Sequence, residues 1–568
     1  MKYTHNNNEL TIKNLNQIVV LKGWVSKRRN LGGLIFIDLR DRFGITQIMV
    51  KPENQNYEIA KEIKNEYVIS VTGTVIERES KNLNIETGEI EVLADSIQIL
   101  SKAENPPIQI SENDDASEEV RLKYRYLDLR KPSQQKYLIK RHEISQAVRK
   151  YLNKKGFYEL ETPMLGKSTP EGARDFLVPS RLYKKEFYAL PQSPQMYKQL
   201  FMVAGFEKYY QMARCFRDED LRADRQLEFT QIDIEMSFIE QKDIIKLIEG
   251  LLKDVYKDVL NQNIKTPFLK MSYQSAMERF GSDKPDIRFD LELQDYKAIL
   301  KPLDIPILEK CKYIKGIVIN ENISRKDIDR YSNIVRQNHG KLLAYLKNVN
   351  GEISGSLAKY LNDDAIKALS LTDNSTLFIV PGDFDSVSQS LGALRTTLGE
   401  EYQLYDKNEN AFLWVVDFPL LEYSEEDKRF YAKHHPFTSP KSFEMLKKNP
   451  KKCLANAYDV ILNGYELGGG SIRIHDTKMQ ELMFNTLSFS NEDIKNKFGF
   501  FVDALKYGTP PHGGIALGLD RLVMLMTNTT NIRDVVAFPK IQSAKDLMTA
   551  APSEVDEIQL NEIGLKYE

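Results

Sequence analysis

The sequence predicts an α+β protein of several domains: an N-terminal β-barrel, and a domain built on an antiparallel sheet that an inserted α/β domain interrupts. Three observations predict this arrangement. The chain has 568 residues, which is too many for one hydrophobic core. Short β-type runs separated by turn residues fill about the first hundred positions. A later β-rich pattern stops at about Asp286 and resumes after Phe412.

The first hundred residues predict a small barrel. Strands of this number and length are typical of the OB-fold. We expect this domain at residues 1–104 and a hinge or linker at residues 105–135, where two prolines precede an acidic stretch. The predicted strands are Val19–Val25, Leu34–Asp38, Thr46–Val50, Tyr67–Ile76 and Ile90–Ile99.

Residues 136–285 are expected to form the first part of the sheet domain. Apolar stripes at helical spacing predict helices at about Ser133–Lys155 and Gln241–Leu260. Between them, the β-type runs Tyr209–Phe216 and Glu228–Phe238 are joined by a long, charged loop. Hairpin loops are usually short, so a loop of this length and charge predicts a ligand clamp. The segment from Pro163 to Ala173, rich in Gly, Pro, Ser and Thr, predicts a mobile loop.

A separate α/β pattern occupies residues 286–410 and predicts an inserted domain. Its predicted strands are Tyr313–Ile319 and Thr376–Val380, and helices are predicted near Ile328–Asn338, Ile353–Leu361 and Ser386–Leu398. The host domain is then expected to continue, with a C-terminal extension, over residues 411–568. Its predicted elements are the strands Leu413–Asp417 and Tyr465–Ile474, and a glycine-rich strand from Gly513 that runs into the apolar helix Leu522–Met526.

Composition limits the classes of function. The formal net charge is −2, so no global basic field marks a nucleic-acid binder, although a local basic patch suffices for phosphate contacts. Cys215, Cys311 and Cys453 have neither paired nor metal-type spacing and fit a reducing cytosol. The polar N-terminus is no signal peptide, and no run reaches the ~20 apolar residues of a membrane span. We expect a soluble, cytoplasmic protein with no membrane partner.

Three segments, taken in chain order, resemble motifs 1, 2 and 3 of the class II aminoacyl-tRNA synthetases. They are Gly156–Pro163, Phe216–Phe238 and Gly513–Arg521. Further segments and the large insertion resemble the bacterial-type aspartyl-tRNA synthetases, namely Gln192–Lys198, Gly281–Asp286, His434–Phe437 and Glu466–Arg473. The resemblance spans nearly the whole chain. It implies that L-aspartate is activated with ATP and Mg²⁺ and transferred to tRNA-Asp, by a homodimer formed through motif 1.

Two arginines suit a reaction in which a carboxylate attacks a phosphate, because protein groups there mainly position anions and neutralise charge. Arg217 ends a strand and can bind phosphate and carboxylate as a fork, although an arginine among acids is by itself more often a surface ion pair. Arg521 opens a helix, where a cation opposes the helix dipole, so ligand contact is favoured. The resemblance implies that Arg521 lies over the adenine, opposite Phe229, a residue that would otherwise suit a core equally well. It also implies the catalytic residues Arg217, Glu466 and Arg521, and the ATP-binding residues Arg217, Asp218, Glu219, Gln226, Phe229, Glu466, Gly518, Leu519, Asp520 and Arg521.

Asp459 and Glu466 are the metal candidates. Their odd separation would place them on opposite faces of one regular strand, so convergence needs a turn or bulge near Asn463-Gly464. The resemblance implies that they bind Mg²⁺ through the ATP phosphates, which agrees with the preference of magnesium for few carboxylates plus substrate oxygens. Two unrelated surface acids are the alternative.

Aspartate needs a cationic partner for each of its carboxylates. By resemblance, Lys198 and Arg473 bind the side-chain carboxylate, and His434 belongs to a closing loop beside the substrate. The residues that the resemblance places around the α-amino group are Glu171, Gln195 and Asp233. The adjacent histidines have no third ligand nearby, which disfavours a metal site. The implied aspartate-binding set is Glu171, Ser193, Gln195, Lys198, Arg217, Asp233, His434 and Arg473.

The barrel carries basic residues around the aromatic Phe36, namely Lys27, Arg28, Arg29, Arg40 and Arg42. Basic and aromatic side chains together on an OB face suit an unstacked RNA loop, although a solvated edge is the alternative for Lys27 and Arg28. The resemblance implies that Phe36 stacks on an anticodon base. The implied anticodon-binding set is Arg29, Leu31, Phe36 and Gln47.

Three alternatives stay open. An asparaginyl or lysyl enzyme shares the barrel and the three motifs but lacks the insertion. A non-discriminating form would also charge tRNA-Asn, although Leu31 resembles forms restricted to tRNA-Asp. A non-catalytic RNA-binding protein with a degenerate synthetase body is disfavoured by the presence of Arg217, Glu466 and Arg521.

Overall fold

A computed structural model describes residues 2–168, 172–221 and 223–567 of the protein. The chain forms two compact units, one of residues 1–139 with 533–554 and one of residues 140–532 with 555–568. Across those described ranges, no helix combines the length and the apolar character needed to cross a bilayer.

The first unit contains a closed five-stranded barrel with the strand order β1-β2-β3-β5-β4. The predicted OB-fold is confirmed. Alternation explains its layers: Ile35 and Ile37 are fully buried in the barrel core, whereas Phe36 points to the outer face. The barrel elements are β1 (Ile18–Leu31), β2 (Leu34–Arg40), β3 (Ile45–Val50), α1 (Tyr57–Glu62), β4 (Val68–Glu77) and β5 (Ile90–Ser101).

Short helices follow the barrel, and a buried arginine holds them against residues 533–537. Arg125 pairs with Asp128 at 2.7 Å and donates to four backbone carbonyls, including that of Ala537 at 3.0 Å. These helices are α2 (Glu118–Lys123) and α3 (Arg125–Asp128), and the next element is α4 (Pro132–Lys154).

The second unit begins with the elements of the predicted hairpin. The hairpin itself is confirmed: β9 and β10 pair antiparallel from Phe216 opposite Glu228 to Lys208 opposite Met236. The elements are β6 (Tyr158–Glu159), β7 (Leu177–Pro179), β8 (Phe187–Ala189), α5 (Gln195–Val203), β9 (Lys208–Phe216), β10 (Glu228–Ser237), α6 (Gln241–Leu260), β11 (Leu269–Ser272) and α7 (Tyr273–Phe280).

A five-stranded sheet in the order β12-β13-β16-β14-β15 follows, with helices packed against it. The helix predicted near Ile353–Leu361 is wrong. Asn350 and Gly351 both have positive φ and form a tight turn, so Glu352–Gly355 pairs back on the preceding strand. The elements are β12 (Gln294–Asp295), α8 (Lys297–Leu300), β13 (Tyr313–Ile319), α9 (Arg325–Gln337), β14 (Ala344–Val349), β15 (Glu352–Gly355), α10 (Asp363–Leu369), β16 (Ser375–Gly382) and α11 (Phe384–Glu401).

The chain then returns to the main sheet. The remaining elements are β17 (Phe412–Val416), β18 (Leu421–Ser424), β19 (Arg429–Ala432), α12 (Phe443–Lys448), β20 (Ala457–Leu462), β21 (Tyr465–Ile472), α13 (Thr477–Thr486), α14 (Asn491–Leu505), β22 (His512–Gly518), α15 (Leu519–Met526) and α16 (Glu557–Glu562).

The main sheet has eight strands in the order β11-β17-β20-β21-β22-β10-β9-β6. Its central pairs are antiparallel, as predicted, but β11 pairs parallel with β17 at one edge and β6 pairs parallel with β9 at the other. The sheet is therefore mixed rather than wholly antiparallel. Both edge strands are short, and neither belongs to the antiparallel hairpins that form the centre of the sheet.

The segment between β11 and β17 leaves and re-enters the main sheet at neighbouring positions, because these two strands pair with each other. Its two ends are tied by aromatic contacts: the rings of Phe289 and Tyr405 stack with centroids 5.6 Å apart, and the Arg288 guanidinium lies 3.8 Å from the Tyr405 centroid. Arg395 of α11 is buried and donates to the carbonyls of residues 289–291.

Candidate active site

A cavity of about 530 Å³ opens on the face of the main sheet, between the β9–β10 and β20–β21 hairpins and the start of α15. It brings together most of the site residues that the sequence predicts. Those that line it are Ser193, Gln195, Lys198, Arg217, Glu219, Gln226, Phe229, Asp233, His434, Asp459, Glu466, Gly518, Asp520, Arg521 and Arg473.

Two buried cations and one buried carboxylate form the floor of the cavity, and a second buried carboxylate lies behind them. Lys198 on α5 donates to Asp233 Oδ1 at 2.7 Å. Arg473, just beyond β21, donates from Nε and Nη2 to the two oxygens of Glu235 at 3.0 and 3.1 Å. Asp233 and Glu235 are two residues apart on β10, so the alternation of the strand places both carboxylates on the cavity side.

Burial and these charges shift the pKa values in the floor. Burial raises the pKa of Asp233, although Lys198 opposes the shift. Burial alone would also raise the pKa of Glu235, but Arg473 and Lys198 outweigh it and lower that pKa. Burial and the same two cations lower the pKa of His435 to about 3, so this imidazole is neutral near pH 7.

The two adjacent histidines sit on a segment that an aromatic cluster anchors. Phe437 is fully buried and its ring contacts the rings of Phe484, Phe498 and Phe501. His434, three residues earlier, packs edge-on against Phe418 at 4.7 Å and faces the cavity. The cluster fixes one end of the segment and leaves the histidines at the cavity wall.

At the other end of the cavity lie the two predicted arginines. The Arg217 guanidinium lies 5.1 Å from the centroid of Phe229, on the neighbouring strand. Arg521, the third residue of α15, donates from Nη1 to the carbonyl of Glu466 and from Nη2 to Asp224 at 2.9 Å. Both side chains thus line the same cavity, Arg217 from the β9–β10 hairpin and Arg521 from the start of α15.

The β20–β21 hairpin brings the two metal candidates together. Asn463 and Gly464 both have positive φ and make the turn, and a bulge lies between Val460 and Ile461. The predicted turn and bulge are therefore confirmed. A side chain on Gly469 would begin 2.5 Å from Asp459 Oδ1 and 3.7 Å from Glu466 Oε1, so both carboxylates converge on that point.

The donor set of this hairpin fits a magnesium ion. Asp459 Oδ1 is buried and accepts no hydrogen bond within the part of the chain that the structure describes, and His434 Nε2 lies 3.8 Å away. Burial, reinforced by the charge of Glu466, raises the pKa of Asp459 to about 6. Magnesium is commonly held by one or two carboxylates and substrate phosphates, and this hairpin supplies two carboxylates.

Some predicted residues lie elsewhere. Asp218 and Leu519, both within the described ranges, do not line the cavity; the Asp218 amide donates to the carbonyl of Arg174, and Leu519 is buried. Asp520 lines the cavity, but its carboxylate accepts from the Thr230 amide at 2.7 Å and pairs with Arg141. Glu171 lies outside the described residues.

The sequence analysis missed several residues at this site. Glu235 could have been found from its two-residue spacing to Asp233 on a predicted strand, and His435 from its neighbour His434. Asp224, in contrast, is one of many charged residues in a long loop, and no spacing rule distinguishes it. Residues that line the cavity and were likewise not predicted include Asp283, Lys433, Thr438 and Ser471.

In the barrel, two of the predicted anticodon residues, Arg29 and Gln47, belong to one polar network. Gln47 is buried; its amide nitrogen donates to Glu91 at 2.6 Å, and its oxygen accepts from Arg29 at 3.1 Å and Arg78 at 2.8 Å. Arg29 also pairs with Asp38 at 2.7 Å. Glu91 on β5 and Arg78 just after β4 were not predicted, since both are distant in sequence from Arg29 and Gln47.

The outer barrel surface differs from the prediction at one basic position. Arg40 is buried and bonds to both oxygens of Glu66, so it supports the barrel instead of joining the basic surface. Phe36 is half-buried on the outer face, and Leu31 is 60% exposed at the end of β1. Both are accessible to a ligand on that face.

Comparison with known proteins agrees with this geometry. The family model for tRNA synthetases class II (D, K and N) matches residues 117–542, and that for the OB-fold nucleic acid binding domain matches residues 19–100. An aspartate–tRNA(Asp/Asn) ligase of Caldanaerobacter subterraneus subsp. tengcongensis is 50% identical, covering 100% of this chain and 99% of that protein. An aspartate–tRNA ligase of Staphylococcus haemolyticus is 51% identical over 97% of each chain.

Solved structures share the fold. The asparaginyl-tRNA synthetase from Pyrococcus horikoshii, complexed with asparaginyl-adenylate, superposes with a TM-score of 0.60 at 21% identity, covering 94% of this chain and 96% of that one. At such identity the likeness shows the fold alone, whereas the relatives at half identity match from end to end. The chain therefore belongs to the class II aminoacyl-tRNA synthetases and, within that class, to the aspartate–tRNA ligases.

Proposed function

We propose that the cavity on the main sheet is where this aspartate–tRNA ligase joins aspartate to ATP. One observation carries the proposal: buried polar atoms without a partner among the described residues converge on this cavity. They are Gln195 Nε2, Asp233 Oδ2, His434 Nδ1, Asp459 Oδ1 and Arg521 Nε. Buried polar atoms are normally paired, so such a group is explained by a polar ligand that binds there.

In this proposal, aspartate lies on the cavity floor. Its side-chain carboxylate binds between Lys198 and Arg473, and its ammonium group binds the free oxygen of Asp233. Gln195 is a further partner of the ammonium end, and Ser193 lines the same wall. Asparagine has nearly the shape of aspartate, so the two cations, rather than the size of the pocket, select the acid.

The α-carboxylate then points toward Arg217, where the phosphates of ATP bind. An oxygen of this carboxylate attacks the α-phosphorus, the bond from that phosphorus to the bridging oxygen breaks, and pyrophosphate leaves with the electron pair. Arg217 binds both anions through its planar fork and neutralises charge that develops during the displacement. Arg521 and Phe229 hold the nucleotide from opposite sides.

Aminoacyl transfer follows from the same geometry. A hydroxyl at the 3′ end of the tRNA attacks the carbonyl carbon of the mixed anhydride, and the bond from that carbon to the phosphate oxygen breaks. AMP leaves with the electron pair, and its phosphate can accept the hydroxyl proton. His434 lies on the wall of the cavity beside the substrate, where it helps to enclose the reacting groups. We assign no proton transfer to His434.

Asp459 and Glu466 would hold Mg²⁺ in this proposal. When bound, the ion would neutralise the phosphate oxygens of ATP. The chain's own contribution is to bring the two carboxylates together on one hairpin, where Asp459 Oδ1 accepts no hydrogen bond from any described residue.

We propose that the outer face of the barrel reads the anticodon of tRNA-Asp. Phe36 would stack on a base, and Arg29 and Gln47 would contact base edges after exchanging part of their internal network. We favour a form restricted to tRNA-Asp, because Leu31, which is exposed at the end of β1, resembles the residue of forms with that restriction. Charging of tRNA-Asn as well is the second candidate, since one of the two relatives above is named for both tRNAs.

We further propose a homodimer that covers the β6 edge of the main sheet. Tyr158, Phe206 and Phe238 are 62%, 43% and 68% exposed there. Tyr158 pairs with Tyr209 at the start of β9, next to Phe206, and the Ser237 amide donates to Glu207, so the three lie at one corner. Adjacent exposed aromatic side chains of this size favour a partner surface.

The cytoplasm is the proposed location, because it is where tRNA is charged. The domain boundaries also remain proposals: a barrel at 1–104, a hinge at 105–135, the catalytic domain at 136–285 and 411–568, and an inserted domain at 286–410.

The test is exchange of pyrophosphate into ATP, measured with aspartate, asparagine and lysine in turn, followed by charging of tRNA-Asp and tRNA-Asn. Exchange with aspartate alone is expected. Exchange with asparagine instead would contradict the proposal that the cavity floor binds the aspartate side chain. Equal charging of both tRNAs would favour the form that also charges tRNA-Asn. Light scattering of the same preparation tests the dimer, for which twice the chain mass of 65.6 kDa is expected.

A further inference from the structure

The floor of the cavity contains a charged group that the mechanism above does not use. Glu235 is fully buried, and within the described chain it lies behind the cavity lining rather than on it. It nevertheless contacts both cations proposed to bind the aspartate side chain. Its Oε1 accepts from Arg473 Nε at 3.0 Å, and its Oε2 lies 3.1 Å from Arg473 Nη2 and 3.4 Å from Lys198 Nζ.

The geometry of this contact determines which part of Arg473 reaches the cavity. The guanidinium is planar, and Glu235 occupies its Nε–Nη2 edge through two parallel hydrogen bonds. Nη1 is held separately by Ser471 Oγ at 2.7 Å, and that hydroxyl lies 3.2 Å from Thr438 Oγ1. The plane of the guanidinium is thus fixed, with Nη1 directed at the side of the cavity that Ser471 and Thr438 line.

Glu235 also explains how two cations lie close together before any substrate binds. A buried cation without a counter-charge is strongly unfavourable, and two neighbouring cations repel each other. One carboxylate oxygen of Glu235 touches both, while Asp233 balances Lys198 from the other side. The empty subsite therefore keeps its cations in place instead of rearranging them toward solvent.

The surrounding backbone leaves room for this carboxylate only because of a glycine. Gly514 on β22 faces Glu235 across the strand pair, and a side chain there would begin 2.0 Å from Glu235 Oε2. The sequence thus provides a built space for a carboxylate at this position, in the interior of a sheet where polar groups are rare.

We propose that Glu235 is a positioning residue for aspartate recognition, which acts by holding Arg473 so that its Nη1 side, which Glu235 does not occupy, faces the substrate carboxylate. The inference rests on the proposed assignment of the cavity floor to the aspartate side chain. It assigns no contact between Glu235 and the substrate. A loss of Glu235 should accordingly weaken aspartate use through Arg473 and leave ATP use unchanged.

The experiment compares Glu235→Gln with wild type and with Glu249→Gln by pyrophosphate exchange. Glu249 is a matched control, because it too is a buried glutamate, but it accepts from Phe268 N and Trp414 Nε1 and has no place on the cavity. For Glu235→Gln we expect KM for aspartate to rise roughly 10–100-fold, as for a buried charged donor left unpaired, with KM for ATP within about twofold. For Glu249→Gln we expect KM for aspartate to be unchanged, whatever happens to the melting temperature.

A second background separates positioning from a general structural effect. In an Arg473→Met protein, Glu235 has lost the group that it positions, so Glu235→Gln should lower kcat/KM for aspartate by no more than about threefold further. If the double variant loses kcat/KM for aspartate by the product of the two single-variant losses, the proposal is overturned. A folded Glu235→Gln protein with a normal KM for aspartate would overturn it as well. If Glu235→Gln does not fold, Glu235→Asp is tested instead, because it keeps the negative charge but its shorter side chain cannot make both hydrogen bonds to Arg473. A wild-type KM for aspartate in that variant overturns the proposal equally. Wild-type protein without aspartate-dependent exchange would instead refute the proposed function itself.

Discussion

Replacing Arg217 by alanine is the most direct perturbation of the proposed adenylation step. The Arg217 side chain reaches from the end of β9 into the cavity, where its guanidinium lies 5.1 Å from the Phe229 centroid. Its amide donates to the carbonyl of Leu227 at 2.8 Å, a backbone contact that alanine retains. The substitution should therefore remove ligand contacts and leave the hairpin folded.

The expected magnitude follows from the chemistry. Arg217 is placed to bind the charge that accumulates on the α-phosphate, and loss of one such preorganised donor costs about 3–4 kcal/mol of transition-state stabilisation. The rate of aspartate-dependent pyrophosphate exchange should fall by roughly 10²–10³-fold. The melting temperature measured by circular dichroism should stay close to that of wild type.

Arg214→Ala supplies the control for this measurement. Arg214 lies on the same strand and pairs with Glu228, and within the described residues it does not line the cavity. We expect near-normal exchange from it. Exchange within a few-fold of wild type in a folded Arg217→Ala protein would refute the role given to Arg217.

Four further predictions address the rest of the molecule. Arg473→Leu leaves the aspartate carboxylate without its partner and should severely reduce kcat/KM for aspartate in pyrophosphate exchange while ATP affinity, measured by equilibrium binding, is unchanged; loss of ATP binding with intact aspartate binding would place Arg473 in the wrong half of the site. Asp459→Asn should move the Mg²⁺ dependence of exchange to higher concentrations, whereas an unchanged dependence would argue against a metal ligand. Phe36→Ala should weaken tRNA binding by ~1–3 kcal/mol and reduce sensitivity to anticodon changes, with adenylate formation unaffected; retained anticodon discrimination in charging assays would contradict the barrel's role. In the folded protein the pKa of His435 is about 3, below its ordinary value of about 6.5. Between these two pH values the unfolded chain binds a proton that the folded chain does not bind. The free energy of unfolding should therefore fall as pH drops below about 6.5. The loss is at most ~1.4 kcal/mol per pH unit, reduced by the partial exposure of the ring, and His435→Asn should lessen it in urea titrations at pH 7 and pH 5.

The hairpins that build the cavity were largely predictable from sequence, because strand alternation and turn residues are local signals. Asp459 and Glu466 lie an odd number of residues apart, so a turn or bulge is required to bring them to one side, and the structure has both. Asp233 and Glu235 lie two residues apart on one strand, so alternation places them on one face of the sheet. The residue pattern does not, however, predict a buried glutamate behind an arginine. Only the fold brings Arg473, more than two hundred residues later, against Glu235.

The predictions that the structure contradicts also have physical causes. Residues 353–361 have a helix-like apolar spacing, but the preceding Asn350-Gly351 pair is a strong hairpin signal that overrides it. Arg40 was grouped with a basic surface because charge alone does not reveal burial, and its partner Glu66 is distant in sequence. The parallel edge strands are too short to carry a recognisable pattern.

The tied ends of the segment between β11 and β17 also bear on how such a protein can be built and altered. Since Phe289 stacks on Tyr405, the chain departs and returns within one aromatic contact, and the host sheet needs only a short connection there. A module attached in this way can be lengthened, exchanged or excised without changing the register of any host strand. Replacement of residues 290–404 by a short glycine-serine linker is thus expected to leave a host that still folds, which would separate the contribution of the module to tRNA charging from the chemistry of the cavity.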